Sequence, residues 1–314
     1  MKITFYFTLI LLTVLAPSLC AQDLNLYTVD LYENNSHKQV AFTSLSETYP
    51  LSEHPDSLAM PSLEGITEQE AQYILLDSIY RKRFLTTMNL SETDTVFIYD
   101  YARGILKSFP IKTLNLVAII NIYQTEGPYH QEDFKIGFEI DAALLSDHNP
   151  YFLSCLAAVG KENPFEVGKL APITWMKTDR SNFPSIPIDY ESAEILVANN
   201  YFEGDVYVGE SNDLQYFIQE YSDQEHVACR HLIVINVKTN GVLCDRLFFE
   251  DEGSSLTDLN SLESYPAINQ WTGKLLKNKP LVVFGFKYVS FGCESITFLQ
   301  PTENDLYLKC DNRH

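Results

Sequence analysis

From residue 95 onward, short runs rich in Val, Ile, Tyr and Phe alternate with Gly, Asn, Pro or charged residues. Such side chains suit a pleated, half-buried surface, and punctuation this frequent leaves no room for long helices. Thr95–Tyr101 and Ile105–Ile111 flank the short turn Ala102-Arg103-Gly104. Leu114–Tyr123 is strongly apolar, and Phe134–Ile140 follows across the acidic loop Gln124–Asp133. Tyr151–Val159 is apolar enough to be buried, either as strand or as helix. The series continues through Asp205–Glu210, Leu214–Tyr221, Leu232–Val237, Val242–Phe249, Leu281–Phe291, Glu294–Gln300 and Leu306–Cys310. The pattern predicts a mostly antiparallel β protein, all-β or α+β, with one N-terminal amphipathic helix.

That helix is expected over 67–85. Thr67 and Glu70 have the spacing of a capping box, in which each side chain satisfies a backbone N–H at the helix start. Ala71, Ile74, Leu75, Ser78 and Ile79 then recur at helical intervals, and the Ile74/Leu75/Ile79 face should pack on a sheet. Residues 22–65 read as a partly irregular segment with strands at Leu26–Tyr32 and Gln39–Leu45. The Pro-bearing stretch Lys161–Asp189 reads as irregular. The implied organisation is 66–180 as helix plus first β-rich module, 181–204 as connection and 205–314 as second β-rich module. A faint internal echo bears on this division. Ile120-Asn121-Ile122 resembles Ile235-Asn236-Val237, and Gly168-Lys169-Leu170 resembles Gly273-Lys274-Leu275. Either chance similarity between β-rich segments or two related modules near 95–180 and 205–310 accounts for it.

The first 21 residues carry an address. Met1-Lys2 precedes an apolar run from Ile3 to Ala16, then Pro17 and Ser18-Leu19-Cys20-Ala21, the layout of a secretory signal peptide. Cleavage after Ala21 is expected, giving an exported chain that is periplasmic, cell-surface or secreted. A lipid anchor on Cys20 is the alternative, although Leu19 is larger than the residue usually found before a lipidated cysteine. No spanning helix is expected after cleavage.

The formal charge of -20, from 22 basic and 42 acidic residues, argues against nucleic acid as a partner, since such binders neutralise phosphates with Lys and Arg. The acids are dispersed and lack the ligand spacing of a Ca²⁺-binding loop, so they read as a solvated surface. No nucleotide-binding Gly-rich loop, His-Glu-x-x-His or Gly-x-Ser-x-Gly is present, and no cofactor is expected. Among local constellations, Cys229 and His231 share one face of a strand, with His226 on the other, and are a candidate zinc pair without an identifiable fourth ligand. Cys155 has His148 seven residues earlier, but its apolar setting argues for a quiet core thiol. Tyr201-Phe202, Tyr207, Tyr216-Phe217 and Tyr221 could form a sugar-binding platform or simply furnish a sheet. Asn34-Asn35-Ser36 and Asn89-Leu90-Ser91 fit glycosylation acceptors.

Two registers follow from turn positions. With Asn240-Gly241 as a two-residue loop, Ile233 faces Phe248, Val234 faces Leu247 and Cys244 lies opposite Val237, implying burial on both faces and no Cys229–Cys244 bond. A turn centred between Pro301 and Thr302 puts Cys293 opposite Cys310 and Glu294 opposite Lys309, so a Cys293–Cys310 disulfide is expected in an oxidising compartment. The reading that emerges is a non-enzymatic exported binding or structural module of the cell envelope or extracellular space. Its specific function and partner are unidentified by sequence, with a glycan or a protein as candidate ligands. The alternative is an exported hydrolase whose acidic or Cys/His site is assembled in space.

Overall fold

Strands need partners along their edges, and those apolar on both faces need cover on both, which a stack of sheets supplies. A computed structural model describes residues 24–34, 38–49, 59–124, 126–145, 154–223, 226–261 and 268–310. The leader with Cys20 and Ala21, and also His148, lie outside the described residues. The strands are β1 (Asp30–Glu33), β2 (Gln39–Ser44), β3 (Tyr73–Leu75), β4 (Thr95–Asp100), β5 (Ile105–Pro110), β6 (Asn115–Ile120), β7 (Phe134–Asp141), β8 (Cys155–Gly160), β9 (Leu170–Pro172) and β10 (Met176–Thr178). They continue with β11 (Phe202–Ser211), β12 (Leu214–Ser222), β13 (Val227–Asn236), β14 (Gly241–Phe249), β15 (Ser254–Leu256), β16 (Trp271–Gly273), β17 (Val282–Phe284), β18 (Lys287–Val289), β19 (Ser295–Phe298) and β20 (Leu306–Tyr307). The α-helices are α1 (Glu68–Ala71), α2 (Ser78–Thr87) and α3 (Tyr190–Ala198). The protein is mostly antiparallel β.

Sheet I has the order β1-β2-β7-β6-β3, sheet II β5-β4-β8, sheet III β20-β19-β17-β16-β9 and sheet IV β10-β11-β12-β13-β14, with β15 and β18 forming a ribbon. The layers follow from alternation along single strands. On β4, Val96 and Ile98 point into a core shared with Leu116, Phe134 and Phe138 of sheet I. Phe97 and Tyr99 point the other way, to Trp271, Val282, Phe284 and Ile296 of sheet III. Val283, on the opposite side of β17 from its neighbours, joins Leu214, Tyr216, Leu232 and Val234 of sheet IV. The stack therefore runs I–II–III–IV. On the outer face of sheet IV, Leu196 of α3 packs with Tyr221 and Cys229.

Several sequence expectations need correction. The capping box forms, with Glu70 N–H donating to Thr67 Oγ1 at 3.3 Å and Thr67 N–H to Glu70 Oε2 at 3.0 Å. The helix it starts ends after one turn, however. Tyr73, Ile74 and Leu75 pair as β3 with Ile119, Ala118 and Val117 of β6, and the chain re-enters helix only at Ser78. An available sheet edge overrides local periodicity. Leu75 and Ile79, expected to be packed, are 50% and 51% exposed. The reading of a single helix also overlooked α3, capped by the Asp189 carboxylate accepting from Ser192 N–H at 2.9 Å.

In the β13–β14 hairpin, Ile235 pairs with Val242 and Asn236 with Gly241. The turn is thus longer than Asn240-Gly241 alone. After an irregularity at Leu243, Val234 faces Cys244 and Ile233 faces Asp245, not Leu247 and Phe248. Asn236 dictates this: its side-chain oxygen accepts from Lys238 N–H at 3.0 Å and Thr239 N–H at 3.1 Å, beginning the turn early. Ile233 and Val234 are fully buried as expected, but β14 is an edge strand. Cys229 and Cys244 are not bonded to each other.

The stretch 161–189 contributes β9 and β10, and β9 pairs with β16. The segments before and after 181–204 thus share sheet III. Of the echoing stretches, Ile120-Asn121-Ile122 ends a strand of sheet I and Ile235-Asn236-Val237 ends a strand of the sheet IV meander, whereas Leu170 of β9 pairs directly with Gly273 of β16 in sheet III.

Candidate functional site

A polar concavity lies where the edge strand of sheet IV overhangs sheet III. Cys244, Arg246 and Phe248 occupy the inner face of β14. Cys244 closes the core, whereas Arg246 and Phe248 extend over a cleft of about 470 Å³. Its floor comes from sheet III, through Phe284, Ser295, Thr297, Asp305 and Tyr307 among others, and its far wall from the β15–β18 ribbon. Gly285 makes this wall possible. Its φ of 86° and a would-be Cβ only 1.9 Å from Asn269 O exclude any side chain. The kink divides the expected strand 281–291 into β17 and β18 and carries Phe286 and Lys287 into the cleft. Phe286 then stacks on Phe248 at 4.9 Å between centroids and 7° between planes.

The charges are mostly paired. Arg246 Nη1 donates to Thr297 Oγ1 at 3.1 Å and to the Asp305 carboxylate. Lys287 Nζ meets Asp251 Oδ2 at 2.9 Å. That ammonium, with the Ser254 hydroxyl and the Gly253 N–H, holds the Asp251 carboxyl down to about 2. Phe291 and Tyr307 stand at the mouth, 61% and 62% exposed.

Glu294 is the exception: its carboxylate has no hydrogen-bond or ion-pair partner among the described residues. Its side chain is exposed at the edge of the cleft, while neighbouring protein removes part of its hydration and so raises its carboxyl above the ordinary glutamate value. Behind it lies an inner chamber of about 160 Å³, lined by Val29, Tyr101, Cys155, Leu156, Phe284, Ile296, Leu308 and Glu294 among others. Burial, and then the charge of Glu294, raises the Tyr101 hydroxyl pKa. Tyr101 meets Trp271 and Phe284 edge-on, each at 5.3 Å.

The expected disulfide is present at the rim, joining Cys293 to Cys310 with their Cα atoms 5.5 Å apart. The register differs by one residue: Ser295 faces Tyr307 and Ile296 faces Leu306. Glu294 therefore sits across from Leu308, whose N–H donates to Glu294 O at 2.9 Å, and not from Lys309. Lys309 instead donates its N–H to Leu26 O at 2.7 Å.

Cys229 and His231 do share the outer face of β13 and are fully buried. His231 Nε2 lies 2.6 Å from Asp245 Oδ1, Nδ1 has no partner among the described residues, and the ring packs on Phe183 at 5.3 Å. His226 is exposed, between Asp223 and Glu250. Among the described residues no three His, Cys, Asp or Glu side chains are grouped to hold a metal ion. Cys155 is buried on β8 and its thiol is pushed up to about 12 by burial. The aromatic group does not share a face. Tyr207 and Tyr216 turn into the sheet III–IV core, Tyr216 O–H lying 2.7 Å from Thr272 Oγ1, whereas Tyr201 and Tyr221 pack under α3. Asn89 is exposed just beyond α2, while Asn35 and Ser36 fall outside the described residues. No described helix is long and apolar enough to cross a membrane.

Sequence reasoning missed Arg246, Lys287, Glu294 and Asp305 as neighbours. Each is an ordinary charged residue of a strand or its flank, and only sheet stacking brings them together. Compared with protein-family models, with curated proteins and with solved structures, the chain shows no match.

Proposed function

We propose that the protein is an exported binding module whose ligand occupies the cleft between β14 and sheet III. The observation that carries this is the cleft's make-up: a stacked Phe248–Phe286 pair and exposed Phe291 and Tyr307 at the mouth, with Arg246 and Lys287 held by carboxylates. Aromatic surface beside fixed polar groups suits recognition of an amphipathic ligand such as a glycan or peptide strand. The signal-like leader and the rim disulfide support export. A titration of glycans and peptides against the full chain tests the reading. The Phe291→Ala/Tyr307→Ala double variant should weaken any bound ligand by about tenfold or more, as loss of interface aromatics does. Binding unchanged by that variant would refute the cleft as the site.

A second reading, an exported hydrolase, draws on one observation: the raised carboxyl of Glu294 bordering the cleft. Turnover of a glycan or peptide that disappears in Glu294→Gln would favour it over the binding module.

A further inference from the structure

Glu294 and Phe284 line both the cleft and the inner chamber, so the two compartments meet at one carboxylate. We propose that this junction binds an alkylammonium group, its charge at Glu294 and its hydrocarbon against Phe284, Ile296 and Leu308. The inference rests on the cleft being a binding site and names the chemistry it selects.

Charge decides the sign. Arg246 and Lys287 are each paired, with Asp305 and Asp251, leaving Glu294 as the cleft-lining carboxylate without a partner among the described residues. An anion would be repelled there, and a neutral hydroxyl would leave the charge uncompensated. A cation satisfies it in a setting where poor hydration strengthens the attraction. The aromatic lining adds to this, because Tyr101 and Phe284 border the chamber and ring faces attract organic cations. Size sets the rest. A chamber of about 160 Å³ holds about five waters at ~30 Å³ each, comparable to the non-hydrogen atoms of a short alkylamine or a lysine side chain. Both sources offer the same group.

The raised carboxyl of Glu294 fits this arrangement. Asp30, Tyr101 and Cys155 also line the chamber, and burial keeps the last two protonated at neutral pH. A bound ammonium favours the ionised form of Glu294, so affinity should fall as the solution is acidified through Glu294's raised value.

The test uses the full chain at neutral pH, with n-butylammonium, n-butanol and butyrate as probes, read by calorimetry or saturation-transfer NMR. The ammonium should bind at least about tenfold more tightly than the alcohol, with butyrate weaker still. Glu294→Gln should erase that preference while keeping a cooperative thermal transition. In the unaltered chain the preference should also fade on acidification, a check independent of any variant. Parallel titration with Nα-acetyl-lysine methylamide separates the sources: binding comparable to butylammonium indicates a peptide lysine, and butylammonium binding alone indicates a free amine. Equal binding of alcohol and ammonium, or a preference unchanged in Glu294→Gln, overturns the proposal. A glycan or peptide that binds through Phe291 and Tyr307 while butylammonium shows no preference over butanol would overturn it and leave the cleft reading intact.

Discussion

Glu294 has lost part of its hydration and has no partner among the described residues, so the native fold bears a cost at that position. Its folded-state pKa lies above its unfolded value, and between the two the native chain binds more protons. Stability therefore falls as pH rises through that window. Glu294→Gln is expected to raise Tm at pH 7, and the gain should vanish on acidification below the ordinary glutamate range. Melting both proteins across pH checks this, and a Tm lowered at pH 7 would refute it. Burial shifts the three free thiols among the described residues in the same direction and so quiets them. It pushes Cys155 and Cys229 up to about 12 and Cys244 up to about 11, leaving almost no thiolate at neutral pH. In a chain beginning at Gln22, a thiol reagent should label the native protein slowly. It should label three sites after denaturation without reductant, and five after reduction. Rapid labelling of the native chain would contradict the burial.

Among elements, the loop 257–260 and sheet III are tied by two buried amides. Gln270 Nε2 donates to Thr257 Oγ1 at 2.8 Å, Asp258 O at 2.9 Å and Gly285 O at 3.2 Å, while its Oε1 accepts from Trp175 Nε1 and Asn260 N–H. Asn260 Nδ2 donates to Ile173 O and Gln270 O, both at 2.8 Å. Gln270→Leu would strand several of these groups, and at about 1–3 kcal/mol for an unsatisfied buried group a loss of about 3 kcal/mol is expected in urea unfolding. A change below about 1 kcal/mol would show that the network is dispensable. At the β19–β20 end, the Cys293–Cys310 bond closes a loop with a sequence separation of 17. The chain-entropy account gives about 3 kcal/mol for such a loop. Cys293→Ser/Cys310→Ser should lose about that much by the same measurement, and an unchanged midpoint would mean that the fold supplies the constraint alone. The disulfide was legible from sequence because a Pro-containing turn brings two cysteines of one hairpin together even with the register displaced by one. The helix over 67–85 was misread for the opposite reason: β6 offers Tyr73–Leu75 an edge that no local pattern announces.

Across the whole molecule, each inner sheet contributes to two cores, so no sheet can leave without opening its neighbours. Unfolding in urea should therefore be a single cooperative transition, with tryptophan fluorescence and far-ultraviolet circular dichroism coinciding. Two separated transitions would show that 66–180 and 205–314 behave as independent modules. The amino-acid order by itself determined the β-rich class, most strand positions, the capping box and the cysteine pair. These depend on alternation, turn residues and short-range geometry, which act within a few residues. Tertiary structure alone decided the stack of sheets, the β9–β16 pairing across 181–204, the turn of β13–β14 and the meeting of Arg246, Lys287, Glu294 and Asp305 around one cleft. Strand pairing and sheet packing are contests among distant partners, settled by how much apolar surface each arrangement buries. A charged residue on a strand therefore reads the same in sequence whether it faces water or, like Glu294, the wall between two cavities.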